Sequence, residues 1–188
     1  MKLAEVVATS AAVAETRSRN CKRDLLASCL QAMDSIEVRP GTSYLAGELP
    51  QGRIGVGPAM LRKVAGAAAP AAESRINLAE VVSALEMVAN ASGKGSAAAR
   101  VDRLAALFSR ATGPEQSFLI RLLVGELRQG ALDGVMVEAI ASAWALRASE
   151  VRRAYMLLGN VARVAEIASV KGAAGLAEVR LTVGVPVK

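Results

Sequence analysis

The stretch Ser92-Gly93-Lys94-Gly95-Ser96 gathers the residue types that hold phosphate: glycines that bare backbone N–H groups, a lysine, and a hydroxyl just ahead of a helical segment. It is not a nucleotide loop. That motif needs a glycine where Val88 stands and a Ser or Thr directly after the lysine, where Gly95 stands, so its magnesium ligand is misplaced. A second glycine-rich stretch, Gly52-Arg53-Ile54-Gly55-Val56-Gly57, runs in the order GxxGxG and lacks the strand–turn–helix context of a dinucleotide fingerprint. What survives is a phosphate clamp without nucleotide chemistry. Gly93 and Gly95 offer N–H donors, Ser96 is placed to cap the next helix, and Lys94 and Arg100 add positive charge nearby.

Two further groups point the same way. In Gly125-Glu126-Leu127-Arg128-Gln129-Gly130, glycines bracket an arginine between two predicted helices, so the backbone can approach a ligand while Arg128 projects into it; Arg121 precedes Arg128 on the same helical face. Arg17, Arg19, Lys22 and Arg23 crowd a predicted helix start, where cations oppose the helix dipole and ask for an external anion. Each group alone also reads as a solvated charged face. Together, with a net charge of +6, they suit a polyanion.

Little else offers chemistry. The chain has no histidine, which removes the usual zinc sites and His-based triads. Cys21 and Cys29 lie on one predicted helix, roughly 12 Å apart at about 1.5 Å per residue, too far for a disulfide. They read as reduced core thiols of a cytoplasmic protein. The 17 acidic residues are scattered, and Asp133-Gly134 follows Ala131-Leu132 rather than the lysine of a nucleotidyl-accepting motif. The expectation is a chain with no catalytic residue, no metal ligand and no cofactor of its own.

The elements that must position these groups are helices. Hydrophobic residues make up 53% of the chain but aromatics only 3%, so small and aliphatic side chains must carry close helix-on-helix packing. Charges interrupt every apolar run before it reaches the roughly 18 residues of a membrane span. Glu5 and Glu15 break any signal-peptide core, so neither export nor membrane association is expected. The fold class predicted is all-α, with about ten helices. The first starts at Leu3, Val6, Val7 and Val13, and a second runs over 19–33. Pro40-Gly41 closes that region before a short helix through Tyr44-Leu45-Ala46, and Pro58 opens a helix to about Ala65. An alanine-rich connector covers 66–74, and two halves split near 66–76 remain possible. Asn77 and Glu80 start a capping-box helix that ends near Asn90. Further helices fall at about 97–111, 115–125, 133–146, 149–158 and 161–171, with Trp144 and Tyr155 filling the core. The alternating Glu178–Val187 stretch reads as an extended strand, a linker or a frayed end, giving a helical domain over 1–178 and a linker over 179–188.

These groups, in order, resemble the N-terminal DNA-binding domain of ATP-dependent DNA ligases, most of all those of high-GC bacteria. The resemblance runs through Thr16-Arg17-Ser18-Arg19-Asn20-Cys21-Lys22, Tyr44-Leu45-Ala46-Gly47-Glu48-Leu49 and Ile54-Gly55-Val56-Gly57. It continues with Gly93-Lys94-Gly95-Ser96 and Arg100, then Phe118-Leu119-Ile120-Arg121 into the Gly125–Gly130 stretch, and ends in Val183-Gly184-Val185-Pro186. It implies a monomeric helical domain that grips nicked duplex DNA along the minor groove, without sequence preference, in repair, replication or recombination. The gripping residues it implies are Arg19, Lys22, Gly93, Lys94, Gly95, Ser96, Arg100, Gly125, Arg128 and Gly130. Adenylation and OB-fold domains using ATP and Mg would carry the sealing chemistry, and the chain is expected to stop short of the lysine that accepts AMP. Glu126 departs from the pattern, standing where several relatives carry a cation. The rival readings are a free-standing DNA-binding adaptor and a helical protein-interaction scaffold; the apolar 133–146 helix argues against a helix-turn-helix reader.

Overall fold

Residues 1–52, 54–127 and 132–181 are described by a computed structural model, with Leu132 described by its backbone alone. Ten helices appear among them: α1 (Leu3–Glu15), α2 (Arg19–Gln31), α3 (Ser35–Leu45), α4 (Pro58–Ala67), α5 (Leu78–Ala89), α6 (Ser96–Phe108), α7 (Gly113–Val124), α8 (Leu132–Ala143), α9 (Ala148–Leu158) and α10 (Val161–Glu178). The all-α expectation holds. The described residues contain no strand, only one antiparallel bridge between Lys2 and Asn77. Two units divide the chain: Met1–Val7 with Gly47–Arg128, and Ala8–Ala46 with Gln129–Lys188. The 66–76 segment lies inside the first of these.

In the first unit, α5 begins as the sequence predicts. The Asn77 side chain accepts from the N3 backbone, while Glu80 returns a carboxylate oxygen to the Asn77 N–H at 2.9 Å. Leu3 N–H donates to the Ile76 carbonyl and Leu78 N–H to that of Met1, so the N-terminal segment pairs with the entry to α5. α6 packs on α4 and α5, and Leu61, Val64, Leu78, Leu85, Leu104, Phe108 and Phe118 are all nearly or fully buried. α7 secures the connector that precedes α5. Its buried Glu115 accepts from Ser74 Oγ at 2.6 Å and from Thr112 N–H and Oγ1, both at 2.8 Å. Gln116 Nε2 donates to the carbonyls of Phe108 and Ala68, and Ala71 N–H donates to that of Ala111. A carboxylate buried at a helix N-terminus is tolerable because three donors and the helix dipole meet it.

The second unit places α2 along α8, and α10 against both α3 and α9. Alanine and valine dominate these contacts: Ala27, Ala139, Ala154, Val161, Val164, Ala165 and Ala168 are buried. One boundary differs from the sequence reading. Pro40 and Gly41 lie inside α3 rather than ending the region. The Asp34–Glu37 capping box nucleates this helix upstream, and Val38, Tyr44 and Leu45 bury its far end. Pro40 removes the N–H that would serve the Ile36 carbonyl, and Ile36 is 79% exposed, so water can take that place. Cys29 is buried but Cys21 is exposed, and no disulfide joins them. Trp144 and Tyr155 are half-buried rather than core, and Tyr155 turns its hydroxyl to the Asp133 carboxylate. α10 runs past the predicted end to Glu178 through a non-helical Gly172 (φ 57°, ψ −147°).

α8 ends in a Schellman motif: Leu146 N–H reaches the Ala141 carbonyl and Ala145 N–H that of Ser142. Its left-handed position is filled by Ala145 at φ 50°, where glycine carries no Cβ penalty. Ala145→Gly is therefore expected to raise stability by about 0.5–1 kcal/mol in denaturant unfolding, the relief of left-handed strain outweighing glycine's extra unfolded-state entropy. The Glu80 carboxyl is held below its ordinary 4.5, first by the Asn77 N–H and then by Arg110, whose Nη2 lies 2.8 Å away. A lowered carboxyl stabilises the fold above pH 4.5 and loses that contribution as pH falls through its folded value. Wild type and Glu80→Gln should therefore differ in melting temperature at neutral pH, and converge as pH falls through the lowered folded value of the Glu80 carboxyl.

Candidate nucleic-acid interface

Gly93 and Gly95 both adopt left-handed backbone, with φ of 77° and 87°, and nothing approaches the position of a Cβ at either. Ser96 does not cap α6. Gly95 occupies the N-cap, and Ser96 is the first helical residue, its N–H turned back to the Gly93 carbonyl at 3.2 Å. The N-cap thus offers no side-chain acceptor, and α6 has no acidic residue in its first turn. Its N-terminal amides keep their partial positive charge exposed beside Lys94. Lys94 is exposed and has no hydrogen bond or ion pair among the described residues.

Arg100, one turn into α6, has partners within the fold. Its Nη2 donates to the Ala91 carbonyl at 2.5 Å and its Nε to that of Val88 at 3.3 Å, tying down the end of α5 where the 91–95 loop departs. The guanidinium also lies against Gly55: a Cβ there would sit 3.1 Å from Arg100 Cζ, and Gly55 has φ 69°. Arg100 therefore joins the 91–95 loop to the Ile54–Gly57 segment.

That segment lines a cleft of about 800 Å³ together with Gly47, Gly52 and the end of α7 at Gly125. Gly47 is forced. At φ 74°, a Cβ on it would stand 2.5 Å from the Leu127 carbonyl oxygen. Gly125, at φ 73°, ends α7 through a Schellman pair in which Glu126 N–H reaches the Arg121 carbonyl. Its glycine is required by the helix ending, and the space on its Cβ side is open. Sequence reasoning kept Gly125 and passed over Gly52 and Gly55 as site residues, because their motif failed as a nucleotide fingerprint. The signal that could have kept Gly55 was its place in the ordered ligase-like pattern; Gly52 lies between the stretches that carry that pattern.

In the second unit, Ser18 caps α2, its Oγ accepting from Cys21 N–H, and no acidic residue follows in the first turn. Arg19 is not a free cation. Its Nε and Nη2 grip both oxygens of Glu138 on α8, at 3.0 and 2.9 Å, a bidentate fork. This hydrogen-bonded pair, more than any charge further off, holds the Glu138 carboxyl below the usual carboxylate range. Arg23, one turn along α2, pairs with Asp24. Lys22 is half-buried and has no polar partner among the described residues. Arg128 and Gly130 lie outside the described residues, as does the 182–187 part of the predicted extended stretch. Among the described residues no helix is long and apolar enough to cross a membrane.

Removing the Arg100 guanidinium leaves carbonyls at the end of α5 without their donor. Arg100→Ala is expected to cost about 1–2 kcal/mol in unfolding, and to speed amide hydrogen exchange in 91–95 more than in α8 or α10.

Comparison with known proteins bears directly on these residues. The family described as DNA ligase N terminus matches residues 67–141, which include the Gly93–Ser96 loop, Arg100 and Gly125. A probable DNA ligase from Anaeromyxobacter sp. (strain Fw109-5) is 50% identical over 188 residues, all of this chain and 36% of that protein. One from Saccharopolyspora erythraea is 48% identical over 99% of the chain and 36% of its own length. One from Nocardia farcinica is 47% identical over the whole chain, again 36% of its length. The chain thus spans about a third of the relatives it matches. The chain is thus similar from end to end to about a third of these probable DNA ligases, and over residues 67–141 to the DNA ligase N terminus.

Proposed function

We propose that the chain grips nicked duplex DNA by its sugar–phosphate backbone, along the minor groove and without reading sequence, as the DNA-holding part of an ATP-dependent ligase. The observation that carries the reading is the 93–96 loop. Two left-handed glycines, an unpartnered lysine and an acid-free helix N-terminus converge there, inside the region matched to ligase N-termini. Backbone amides and cations of this kind bind phosphate whatever the base sequence, which is what an enzyme that seals nicks at any sequence requires. The cleft that joins Gly55 to Gly125 supports the same reading, since side-chain-free backbone can lie close to a strand.

Under this reading, Gly93, Lys94, Gly95 and Ser96 meet phosphate, and Gly125 permits close approach. Arg19, Lys22, Arg128 and Gly130 extend the contact, while Arg100 shapes the loop rather than touching DNA. The chain works as a monomer and makes no covalent bond. Adenylation and OB-fold domains of the whole ligase supply ATP- and Mg-dependent chemistry, in repair, replication or recombination, and this domain contributes orientation.

The test is binding of the 188-residue chain to a short nicked duplex, an intact duplex and a single strand across a salt series. Duplex should bind more tightly than single strand, with log affinity falling linearly in log salt at a slope of several counterions. Lys94→Gln should weaken duplex binding about three- to ten-fold and reduce the slope by about one, without changing the melting temperature. Absence of binding at low salt defeats the reading and favours a protein-interaction scaffold.

A further inference from the structure

Glu138 is conspicuous because it places a carboxylate on Arg19, a cation that the proposed function needs. It lies on α8, its side chain only 27% exposed, and takes both donors of the Arg19 fork. Gly134, one turn earlier on α8, makes room for that fork: a Cβ there would stand 3.3 Å from Arg19 Nη2. Arg23 on α2 and Arg152 on α9 both act electrostatically on the same carboxylate, and α8 packs against α2 and α9. Arg152 is exposed and has no hydrogen bond or ion pair among the described residues. The arginines around Glu138 outnumber the acids there, even with Asp24 counted against Arg23.

We propose that Arg19, Arg23 and Arg152 form a phosphodiester-binding site around Glu138, with Glu138 a positioning residue rather than a contact. This rests on the DNA-binding reading above. Three guanidiniums close together repel one another, and each long side chain is free to turn away. A central carboxylate removes both problems. It fixes the plane of Arg19 through two hydrogen bonds, leaving that guanidinium's remaining N–H groups to face outward, and it screens the arginines from one another. With Glu138 on Arg19 and Asp24 on Arg23, three cations against two carboxylates leave one net positive charge, already ordered when a phosphate arrives. The ligand chemistry is one phosphodiester of a nucleic-acid backbone, with no base contact.

The positioning role has an unusual sign. Removing an acidic residue from a DNA-binding surface ordinarily tightens binding, because it removes a repelled charge. Here it should loosen it. The experiment compares the wild-type chain with Glu138→Gln, Arg152→Gln and Lys94→Gln on a short nicked duplex across a salt series, with a melting curve for each. Expected are a loss of about five-fold for Arg152→Gln with the salt slope reduced by about one and a wild-type melting temperature, and a loss of several-fold for Glu138→Gln although the protein has become more positive, its melting still cooperative but at a lower temperature because the Arg19 pair is gone. Should Glu138→Gln fail to fold, the Arg152→Gln slope still decides the site. Wild-type binding by Arg152→Gln, or tighter binding by Glu138→Gln, overturns the proposal. If Lys94→Gln is weakened at the same time, the DNA reading itself stands. If the wild-type chain does not bind duplex at all, the DNA reading fails first, and the cluster falls with it.

Discussion

A chain built almost entirely of helices must dispose of the polar groups at every helix end, since each start leaves N–H groups with no partner inside the helix. This constraint organises the molecule. Six helices carry an acidic residue in the first turn: α1, α3, α5, α7, α8 and α9. In α3, α5 and α7 it completes a capping box. The others, α2, α4, α6 and α10, have none. Two of these acid-free starts, α2 and α6, are where Arg19 with Lys22 and the 93–96 loop lie. Most helix starts are thus closed by carboxylates of their own, while those of α2 and α6 have none and lie beside Arg19, Lys22 and Lys94.

Arginine plays two opposed parts in this scheme. Arg100 directs its donors to carbonyls and its plane to a glycine, and so serves the shape of two loops. Arg19 is held by a carboxylate with part of its donor capacity left over. Charge alone does not separate these cases. The geometry of the partners does, since carbonyls at a helix end belong to the fold while a fork on a side chain leaves an outward edge.

Helix content and most boundaries were legible in the sequence because caps and periodicity are local. Asn77 with Glu80, and Pro58, each mark a start that the structure confirms. The errors arose where a distant contact decides. Pro40 reads as a helix end until the burial of Tyr44 and Leu45 is known, and the exposure of Cys21 depends on which face α2 turns to α8. The candidate site was legible as residue types, less so as an arrangement. The 93–96 loop is contiguous in sequence and could be read, whereas Arg19 meets Glu138 across 119 positions, and the Gly55–Arg100 contact spans two separate glycine-rich or charged segments. No spacing rule announces such pairs.

The way the units interleave along the chain bears on the order in which they form. The first unit needs Met1–Leu3 beside Ile76–Leu78, and the second needs α2 and α3 beside α8 and α10. Neither is a continuous run of sequence. During synthesis the residues of α2 and α3 leave the ribosome long before α8 and α10 exist to cover them, so Leu26, Leu30 and Val38 stay wet while the whole first unit is being made. The early part of the second unit must therefore hold soluble as isolated, weakly apolar helices. Its polar α2, with cations at one end and few large side chains, is a composition suited to waiting.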